Sequence, residues 1–302
     1  MILVLGSINA DLFFTVEHLP APGETVLTPS VTLRPGGKGA NQAAAAARAG
    51  SMVRFLGCVG DDAVAETVLA ALVDAGCDIS GVRRVAGATG TAAVMVEASG
   101  ENQIVVASGA NGRVTADLLP AEMAPDITLV CQMEIPPAET ERALIAAKAW
   151  GARTVLNLAP AGDISDQALV AVDVLVVNEI EAIALAGEAG TPLGLARNLA
   201  DRHAVVCVVT VGAQGAVAVE PGGVAWRVGA LGVEAVDTVG AGDAFVGVLA
   251  ATLDDGADLP TALHRASVAA GLACTAEGAM TGLPDAAAIE RRRPDLAPAA
   301  RV

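Results

Sequence analysis

The chain has 302 residues, of which 53% are hydrophobic and only 2% are aromatic, so it can bury a full core built from small aliphatic side chains. Its 34 acidic and 18 basic residues give a net charge of −16, which repels nucleic-acid phosphates, and few aromatic side chains are available to stack on bases. We therefore expect no nucleic-acid partner, and any bound phosphate must be held locally by backbone N–H groups, Mg²⁺ or a single lysine.

In the first half of the chain, hydrophobic periodicity and glycine turns predict two strand-and-helix units followed by a hairpin. In chain order these are strands at 1–5 and 31–33, a turn at 34–37, a helix at 42–49, a strand at 53–59, a helix at 63–75, and hairpin strands at 91–96 and 103–107 across a turn at 99–102. The hairpin interrupts the alternation of strand and helix.

From residue 127 the alternation resumes. The predicted strands are at 127–131, 154–158, 174–177 and 205–209, the helices at 138–150, 166–172, 192–202, 243–253 and 259–275, with a hairpin at 216–228. Near-continuous apolar strands alternating with helices predict an α/β fold with a mostly parallel central sheet and helices on both faces. We expect the arginine run at 291–293 to be a solvated tail.

Two segments, residues 10–33 and 88–108, do not fit this layered pattern. We predict that they form a small β-sheet lid over the carboxyl ends of the strands, where open α/β sheets bind their ligands. The chain, residues 1–302, is then a single domain into which the lid, at about 10–35 and 88–108, is inserted.

The cysteines and apolar segments bear on the compartment. Five cysteines are far apart, with no C-x-x-C pair and no histidine at metal-ligand spacing, which is typical of buried thiols in a reducing cytosol. The first residues lack a basic region, and no apolar stretch approaches the roughly 20 residues of a membrane span. We expect a cytoplasmic protein that does not enter a membrane.

The glycine-rich stretch GGKGAN begins a predicted helix and places Lys38 and Asn41 three residues apart on one face. It is not a Walker A loop, because Gly39 follows the lysine where Ser or Thr is required. The first strand ends at the single Gly6, so the glycine fingerprint of dinucleotide-binding proteins is missing as well. A dehydrogenase is therefore disfavoured.

Other polar residues follow predicted strands. Asn9 and Asp11 supply the donor and acceptor groups that a polyol needs, or they form an Asx turn. Glu134 follows the strand at 127–131, where a lone glutamate is usually just solvated. Asn178 and Glu181 could hold a hydrated Mg²⁺ or could cap a helix. The loop from Thr210 to Gly215 suits a flat ring or a phosphate, but ordinary turn chemistry explains it nearly as well. Their common position, at the carboxyl ends of strands, favours one shared site.

The stretch DTVGAGDAF is the most informative in the chain. Gly240, Ala241 and Gly242 let the backbone approach a ligand, and the first N–H groups of the following helix point toward an anion. Asp243 lies beside that anion site. It could be the base that deprotonates a hydroxyl next to a transferring phosphoryl group, or an aspartate favoured only by the helix dipole.

Taken together, these motifs resemble the ribokinase-like carbohydrate kinases of the PfkB family. The resemblance covers nearly the whole chain, because the stretches follow in that family's order and spacing: GSINADL, RPGGKGANQAAAAARAG, FLGCVGDD, SGAN, LNLAPA, NEIEA, VTVGAQG, DTVGAGDAF and EGAMTGLP. It implies a Rossmann-like sheet with a lid, ATP-dependent phosphorylation of D-ribose at O5, and Mg²⁺ and K⁺ as cofactors.

The resemblance also implies roles for individual residues. Ribose hydroxyls would contact Asn9, Asp11, Gly37, Lys38, Gly39, Asn41 and Glu134, with Ala92 and Val94 against the apolar face of the sugar. Asp243 would be the base, and the amides of Gly240, Ala241, Gly242 and Asp243 the anion hole. Asn178 and Glu181 would organise Mg²⁺ and phosphates, Glu181 indirectly, and the nucleotide would contact Thr210, Gly212, Gly215, Gly242 and Ser267. A monovalent cation would contact Asp237 and the carbonyls of Val239, Ala273, Ala276 and Gly278.

The chain departs from the family at one position, where a common serine near the end of the cation loop is replaced by Gly282, beside Thr281. The K⁺ site could then be weaker, or be completed by water or Thr281. Other readings stay open: a kinase for another furanose or a nucleoside, such as 2-deoxyribose, fructose or adenosine, or a non-catalytic sugar or nucleotide sensor. The resemblance further implies a homodimer that pairs through the lid.

Overall fold

The computed structural model describes residues 1–97 and 102–302, so residues 99–101 of the predicted turn at 99–102 lie outside the described part. The strands are β1 (Ile2–Leu5), β2 (Asn9–Val16), β3 (Val31–Gly36), β4 (Val53–Val59), β5 (Asp78–Arg84), β6 (Gly90–Glu97), β7 (Asn102–Ala107), β8 (Thr128–Cys131), β9 (Arg153–Asn157), β10 (Val174–Asn178), β11 (Val206–Thr210), β12 (Ala216–Val219), β13 (Ala225–Val228) and β14 (Ala300–Arg301).

The helices alternate with these strands along most of the chain. They are α1 (Lys38–Arg48), α2 (Ala63–Asp74), α3 (Pro137–Ala149), α4 (Asp166–Val170), α5 (Glu179–Ala186), α6 (Pro192–His203), α7 (Ala241–Asp254), α8 (Leu259–Ala273) and α9 (Ala286–Arg292). Short 3₁₀ turns occupy Gly109–Arg113, Ala116–Leu118, Gly212–Gln214 and Arg293–Asp295. Among the described residues, no helix is both long enough and apolar enough to cross a membrane.

A ten-stranded sheet forms the centre of the described structure, in the order β14-β13-β12-β11-β10-β9-β8-β1-β4-β5. Every neighbouring pair from β11 to β5 is parallel, whereas β12, β13 and β14 are antiparallel at one edge. Successive side chains of a strand point to opposite faces, so Ile2 and Val4 join one apolar cluster with α1, α2, α7 and α8, while Leu3 and Leu5 join another with α3 and α6. The predicted mostly parallel sheet with helices on both faces is confirmed.

A second sheet of four strands, in the order β3-β2-β6-β7, confirms the predicted small sheet. Its strand β2 follows β1 almost directly and pairs with β3 antiparallel and with β6 parallel. Asn9, the first residue of β2, is opposite Gly36 on one side and Gly90 on the other. The small sheet therefore grows out of the carboxyl end of a central strand.

The structure corrects several sequence-based boundaries. The predicted turn at 34–37 is wrong for residues 34–36, which belong to β3; Pro35 is tolerated there because β3 is an edge strand. Helix α1 begins at Lys38 rather than at residue 42, and β5, α9 and β14 were not predicted; for α5 only the start, at Asn178 and Glu181, was anticipated. The arginine run is accessible to solvent as expected but is not a tail, because it ends α9 and begins a 3₁₀ turn.

Helices α1 and α7 approach each other at backbone distance on one face of the sheet. A Cβ added to Gly247 would lie 2.4 Å from the carbonyl oxygen of Gln42 and 2.6 Å from the Cβ of Ala45. Such distances leave no space for a side chain, so glycine permits the contact. The contact brings the first turn of α1 against the first turn of α7.

Candidate active site

Three adjoining cavities lie along the carboxyl ends of the central strands. The small-sheet cavity, about 660 Å³, is lined by Asn9, Asp11, Lys38, Glu134, Asp243 and others; the middle cavity, about 160 Å³, by Lys38, Asn178, Glu181 and Asp243; and the outer cavity, about 460 Å³, by Thr210, Gly212, Gly215, Gly242 and Ser267. Lys38 and Asp243 line both the first and the second, and Thr210 and Gly242 both the second and the third. The polar residues that follow separate strands thus meet along one continuous groove.

Asp243 lies in the first turn of α7 and is only 7% exposed. Its Oδ2 accepts a hydrogen bond from Asn41 Nδ2 at 2.9 Å, and its Oδ1 accepts one from Gln42 Nε2, also at 2.9 Å. Both donors come from α1. This burial between two amide donors, facing two cavities, is more than the helix dipole alone requires.

The turn before Asp243 is a candidate anion site built from backbone groups. Gly240 is the N-cap of α7 with a φ of 81°, and a Cβ there would lie 2.6 Å from the Cα of Ala279, so glycine is required. The N–H groups of Gly242 and Asp243 fall in the first turn, before the intrahelical acceptors begin. Both residues line the middle cavity, at the positive end of the helix dipole.

Glu134 is fixed rather than solvated. Its Oε2 accepts hydrogen bonds from Ser7 Oγ at 2.6 Å and from the backbone N–H of Lys38 at 3.0 Å. This carboxylate therefore joins the end of β1 to the start of α1. Gly39 lines none of these three cavities. Its N–H donates to Ser7 Oγ, and a Cβ there would lie 2.6 Å from Ser7 N.

Asn111 is a site residue to which sequence reasoning assigned no role. It is 1% exposed, and its Nδ2 donates to Asn9 Oδ1 at 2.7 Å while its Oδ1 accepts from the backbone N–H of Ile8 at 2.9 Å. These bonds fix the orientation of the Asn9 amide. The only sequence signal was the SGAN stretch, which the resemblance included without a role.

Asp11 carries the most perturbed carboxyl group of the site. Burial, followed by the nearby charges of Glu134 and Asp243, raises the pKa of Asp11 from 3.8 to about 7. Its Oδ1 is buried and has no hydrogen-bond partner among the described residues. A Cβ at Gly36 would overlap Asp11 Oδ2, so this glycine leaves the space that the carboxylate occupies. An acceptor thus faces the small-sheet cavity without an internal partner.

Lys38 supplies the positive charge between the cavities. The carboxylate of Asp243 is the largest influence on its pKa, which is raised despite burial, with further contributions from Glu134 and Glu181. The ammonium group therefore remains charged at neutral pH.

Asn178 and Glu181 form a capping box at the start of α5. Asn178 Oδ1 accepts from the Glu181 N–H at 2.9 Å, and Glu181 Oε2 accepts from the Asn178 N–H at 2.8 Å. The capping interpretation is correct, and both residues also line the middle cavity. Burial raises the pKa of Glu181, opposed by the Asn178 hydrogen bond and by Lys38. Within the described part of the chain, no three His, Cys, Asp or Glu side chains converge as a metal site.

In the outer cavity, glycines let a ligand approach the backbone closely, and the hydroxyl groups of Thr210 and Ser267 already donate hydrogen bonds within the protein. Gly212 and Gly215 have positive φ angles of 51° and 91°. Ser267 Oγ donates to the carbonyl of Gly229, and Thr210 Oγ1 donates to the carbonyl of Val177 at 3.3 Å. The cavity therefore offers a ligand mainly backbone groups and apolar surface.

Asp237 and the segment from the end of α8 to Gly282 surround a candidate site for a monovalent cation. Asp237 Oδ1 accepts from the Val239 N–H and its Oδ2 accepts from the Gly278 N–H, each at 2.9 Å. A Cβ at Gly282 would lie within 3.3 Å of three carbonyl oxygens, those of Ala273, Ala276 and Gly278. Several carbonyl dipoles facing one small space are a typical cation environment. Arg34 of β3 places its guanidinium 3.9 Å from Asp237 and pairs with Glu277.

Comparisons with known proteins agree with this arrangement. The family model for pfkB family carbohydrate kinases matches residues 1–286. A protein named Ribokinase from Haemophilus influenzae is 36% identical over 289 residues, covering 93% of this chain and 94% of that one. The solved ribokinase of Thermotoga maritima has a TM-score of 0.89 at 30% identity, covering 96% of this chain and 98% of that one. Arabidopsis thaliana ribokinase, solved with ribose and ATP, has a TM-score of 0.87 at 29% identity, covering 97% and 98%.

The raised pKa of Asp11 predicts a pH-dependent stability. Between roughly pH 4 and pH 7 the folded protein keeps a proton that the unfolded chain releases, so the free energy of unfolding falls as pH rises and the full penalty applies above pH 7. At pH 8, Asp11→Asn should therefore unfold at a higher denaturant concentration than the wild type, with a free energy of unfolding greater by up to about 4 kcal/mol. At pH 4 the two free energies of unfolding should differ little. Denaturant unfolding at both pH values, with the exposed Asp163→Asn as control, measures this. An Asp11→Asn effect of equal size at both pH values would contradict it.

Proposed function

The chain belongs to the pfkB family of carbohydrate kinases, and on that premise we propose that it transfers the γ-phosphoryl group of ATP to O5 of D-ribose. The observation that carries the proposal is the position of Asp243, buried where the small-sheet cavity and the middle cavity meet and next to the first N–H groups of α7. A phosphoryl acceptor, a base and an anion site can therefore meet at one point. The Arabidopsis relative was solved with ribose and ATP.

The sugar occupies the small-sheet cavity in this proposal. Its hydroxyl groups contact polar groups that are already oriented, among them Asn9 held by Asn111 and Glu134 held by Ser7. The unpartnered Asp11 Oδ1 and Asn41 Oδ1 accept further hydroxyl protons. Gly37 lets the sugar approach the backbone closely, and Ala92 and Val94 of β6 contact its apolar face. Gly39 contributes indirectly, because its N–H donates a hydrogen bond to Ser7 Oγ.

Phosphoryl transfer follows from the neighbours of Asp243. Asp243 accepts the proton of O5 as the O5–Pγ bond forms, and the bond between Pγ and the β,γ-bridging oxygen breaks to release ADP. The backbone N–H groups of residues 240–243 and the charged Lys38 stabilise the negative charge of the transferring group. The small sheet covers the cavity and excludes water, which would otherwise hydrolyse ATP.

The nucleotide extends from the middle cavity into the outer cavity. Its phosphates lie near Gly242 and Asn178, and its base contacts Gly212, Gly215 and the surroundings of Ser267. One carboxylate, that of Glu181, is enough to orient Mg²⁺ through water, because this ion keeps most of its ligands from phosphates and water. When bound, Mg²⁺ would neutralise part of the negative charge of the phosphates. K⁺ would be held by Asp237 and by the carbonyls of Val239, Ala273, Ala276 and Gly278, which come from two segments of the chain. When bound, it would supply positive charge near the anion site.

The small sheet is also proposed as a dimer contact. Its edge strands β3 and β7 expose Val31, Ile104 and Val106, which are 52%, 55% and 51% accessible. Unpaired edges and apolar side chains are the surfaces that a second copy can cover.

We place residues 1–302 in one kinase domain with the small sheet inserted as a lid, and the protein in the cytosol.

An ADP-release assay tests the substrate. With ATP and Mg²⁺, the chain should turn over D-ribose faster than 2-deoxyribose, fructose or adenosine, because its oriented polar groups match a full set of ribose hydroxyls. A faster rate with one of the other acceptors would assign the alternative furanose or nucleoside kinase. No ADP release with any of them would favour a sugar or nucleotide sensor.

Asp243→Asn should lower turnover by ~10² or more while leaving the binding of sugar and nucleotide largely unchanged, because the amide cannot accept the O5 proton. Steady-state kinetics together with calorimetric binding of ribose and ATP measure the two effects separately. A variant with near wild-type turnover would rule out the proposed base.

The cation loop predicts activation by K⁺ at a raised concentration. The rate should increase with KCl when ionic strength is held constant with a bulky organic cation. Half-maximal activation should need more K⁺ than in a relative that carries serine at the position of Gly282, because that hydroxyl is missing here. Equal rates in K⁺-free and K⁺-replete buffer would refute the site.

A further inference from the structure

Gln42 holds the proposed base from a position that no substrate can reach. It is 0% exposed and lines none of the three cavities, yet its Nε2 donates to Asp243 Oδ1 at 2.9 Å. The sequence pattern predicts only that Gln42 begins a helix. Its contact with Asp243 exists because α1 and α7 meet at Gly247.

The Gln42 amide is itself oriented by a buried relay of side chains. Its Oε1 accepts from Gln132 Nε2 at 2.8 Å, and its Nε2 also donates to Asn157 Oδ1 at 2.9 Å. Asn157 Nδ2 in turn donates to the carbonyl of Val176 at 3.1 Å. With the acceptor side of the Gln42 amide occupied by Gln132, its donor side must face Asp243. The relay therefore reaches the base from the ends of β8 and β9.

A base must present a free lone pair to the hydroxyl that it deprotonates. Each carboxylate oxygen has two lone-pair sites, and Gln42 takes one on Oδ1 while Asn41 takes one on Oδ2. The carboxylate is therefore held at both oxygens. Small displacements of a reacting group are costly in rate, so rigid support of the base has a catalytic consequence.

We propose that Gln42, oriented by Gln132 and Asn157, is a positioning residue that fixes the carboxylate of Asp243 for proton transfer. The inference rests on the proposed kinase function and deepens it. Asn41 faces the small-sheet cavity and also contacts the base, so it combines two roles. Gln42 has the positioning role alone, and its substitution separates positioning from binding.

The test compares Gln42→Met with the wild type and with Thr154→Val. Methionine keeps an unbranched side chain but removes the hydrogen bonds. Thr154 is equally buried, and its hydroxyl donates to the carbonyl of Ala171 at 2.6 Å, but it lies toward the opposite end of β9 from Asn157. Both variants should lose thermal stability. Only Gln42→Met should lower kcat, by about tenfold or more, with the KM for ribose and ATP within about threefold of wild type.

A second substitution isolates the path through Asp243. In an Asp243→Ala background, Gln42→Met should change the residual kcat by less than about twofold, because the group it positions is gone. Gln132→Met should lower kcat in the same direction as Gln42→Met, but less. If Gln42 had only a structural role, Gln42→Met would lower kcat by the same factor in the wild type and in the Asp243→Ala variant.

The outcomes distinguish a failure of the proposed kinase function from a failure of the positioning role of Gln42. A wild-type chain that releases no ADP with any of the four acceptors overturns the proposed function. An active wild type with a Gln42→Met kcat within threefold of its own, a loss matched by Thr154→Val, or an equal loss in the Asp243→Ala background overturns the positioning role only.

Discussion

The arrangement of the site depends on the close contact of α1 and α7. Because Gly247 has no side chain, the two helices meet at backbone distance, and the amides of Asn41 and Gln42 reach a carboxylate about 200 positions later in the sequence. The same approach sets Lys38 beside Asp243. A larger residue at Gly247 would separate the helices and, with them, the donors from the base.

A second constraint is electrostatic. Asp11, Glu134 and Asp243 concentrate negative charge in a protein whose net charge is already −16, yet the site must accept polyphosphate. The fold resolves this conflict with local groups: the charged Lys38, the first N–H groups of α7 and the glycine that lets them approach a ligand. Burial and the charges of Glu134 and Asp243 raise the pKa of Asp11 to about 7, so its ionised form costs the folded state free energy.

The small sheet connects recognition to the central sheet. Strand β2 leaves the carboxyl end of β1 and immediately contributes Asn9 and Asp11, whose neighbours across the sheet include Gly36, Gly90 and Ala92. The residues that contact the proposed sugar are therefore fixed both by the central sheet and by its appendage. Arg34 extends this connection to the cation loop through Asp237 and Glu277. The proposed sugar pocket, anion site and cation site thus share one structural frame.

The sequence by itself determined the α/β class, the small sheet and the family, because apolar periodicity, glycine turns and the spacing of motifs are local properties. It also placed Asp243 at the start of a helix, next to an anion site. It could not decide whether Asp243 is buried between side-chain donors or favoured only by the helix dipole, whether Glu134 is solvated, or that Asn111 and Gln42 bond to Asn9 and Asp243. Only the tertiary structure decided these points, since burial and hydrogen-bond partners arise when segments such as β1, α1 and α7, distant along the chain, are packed together.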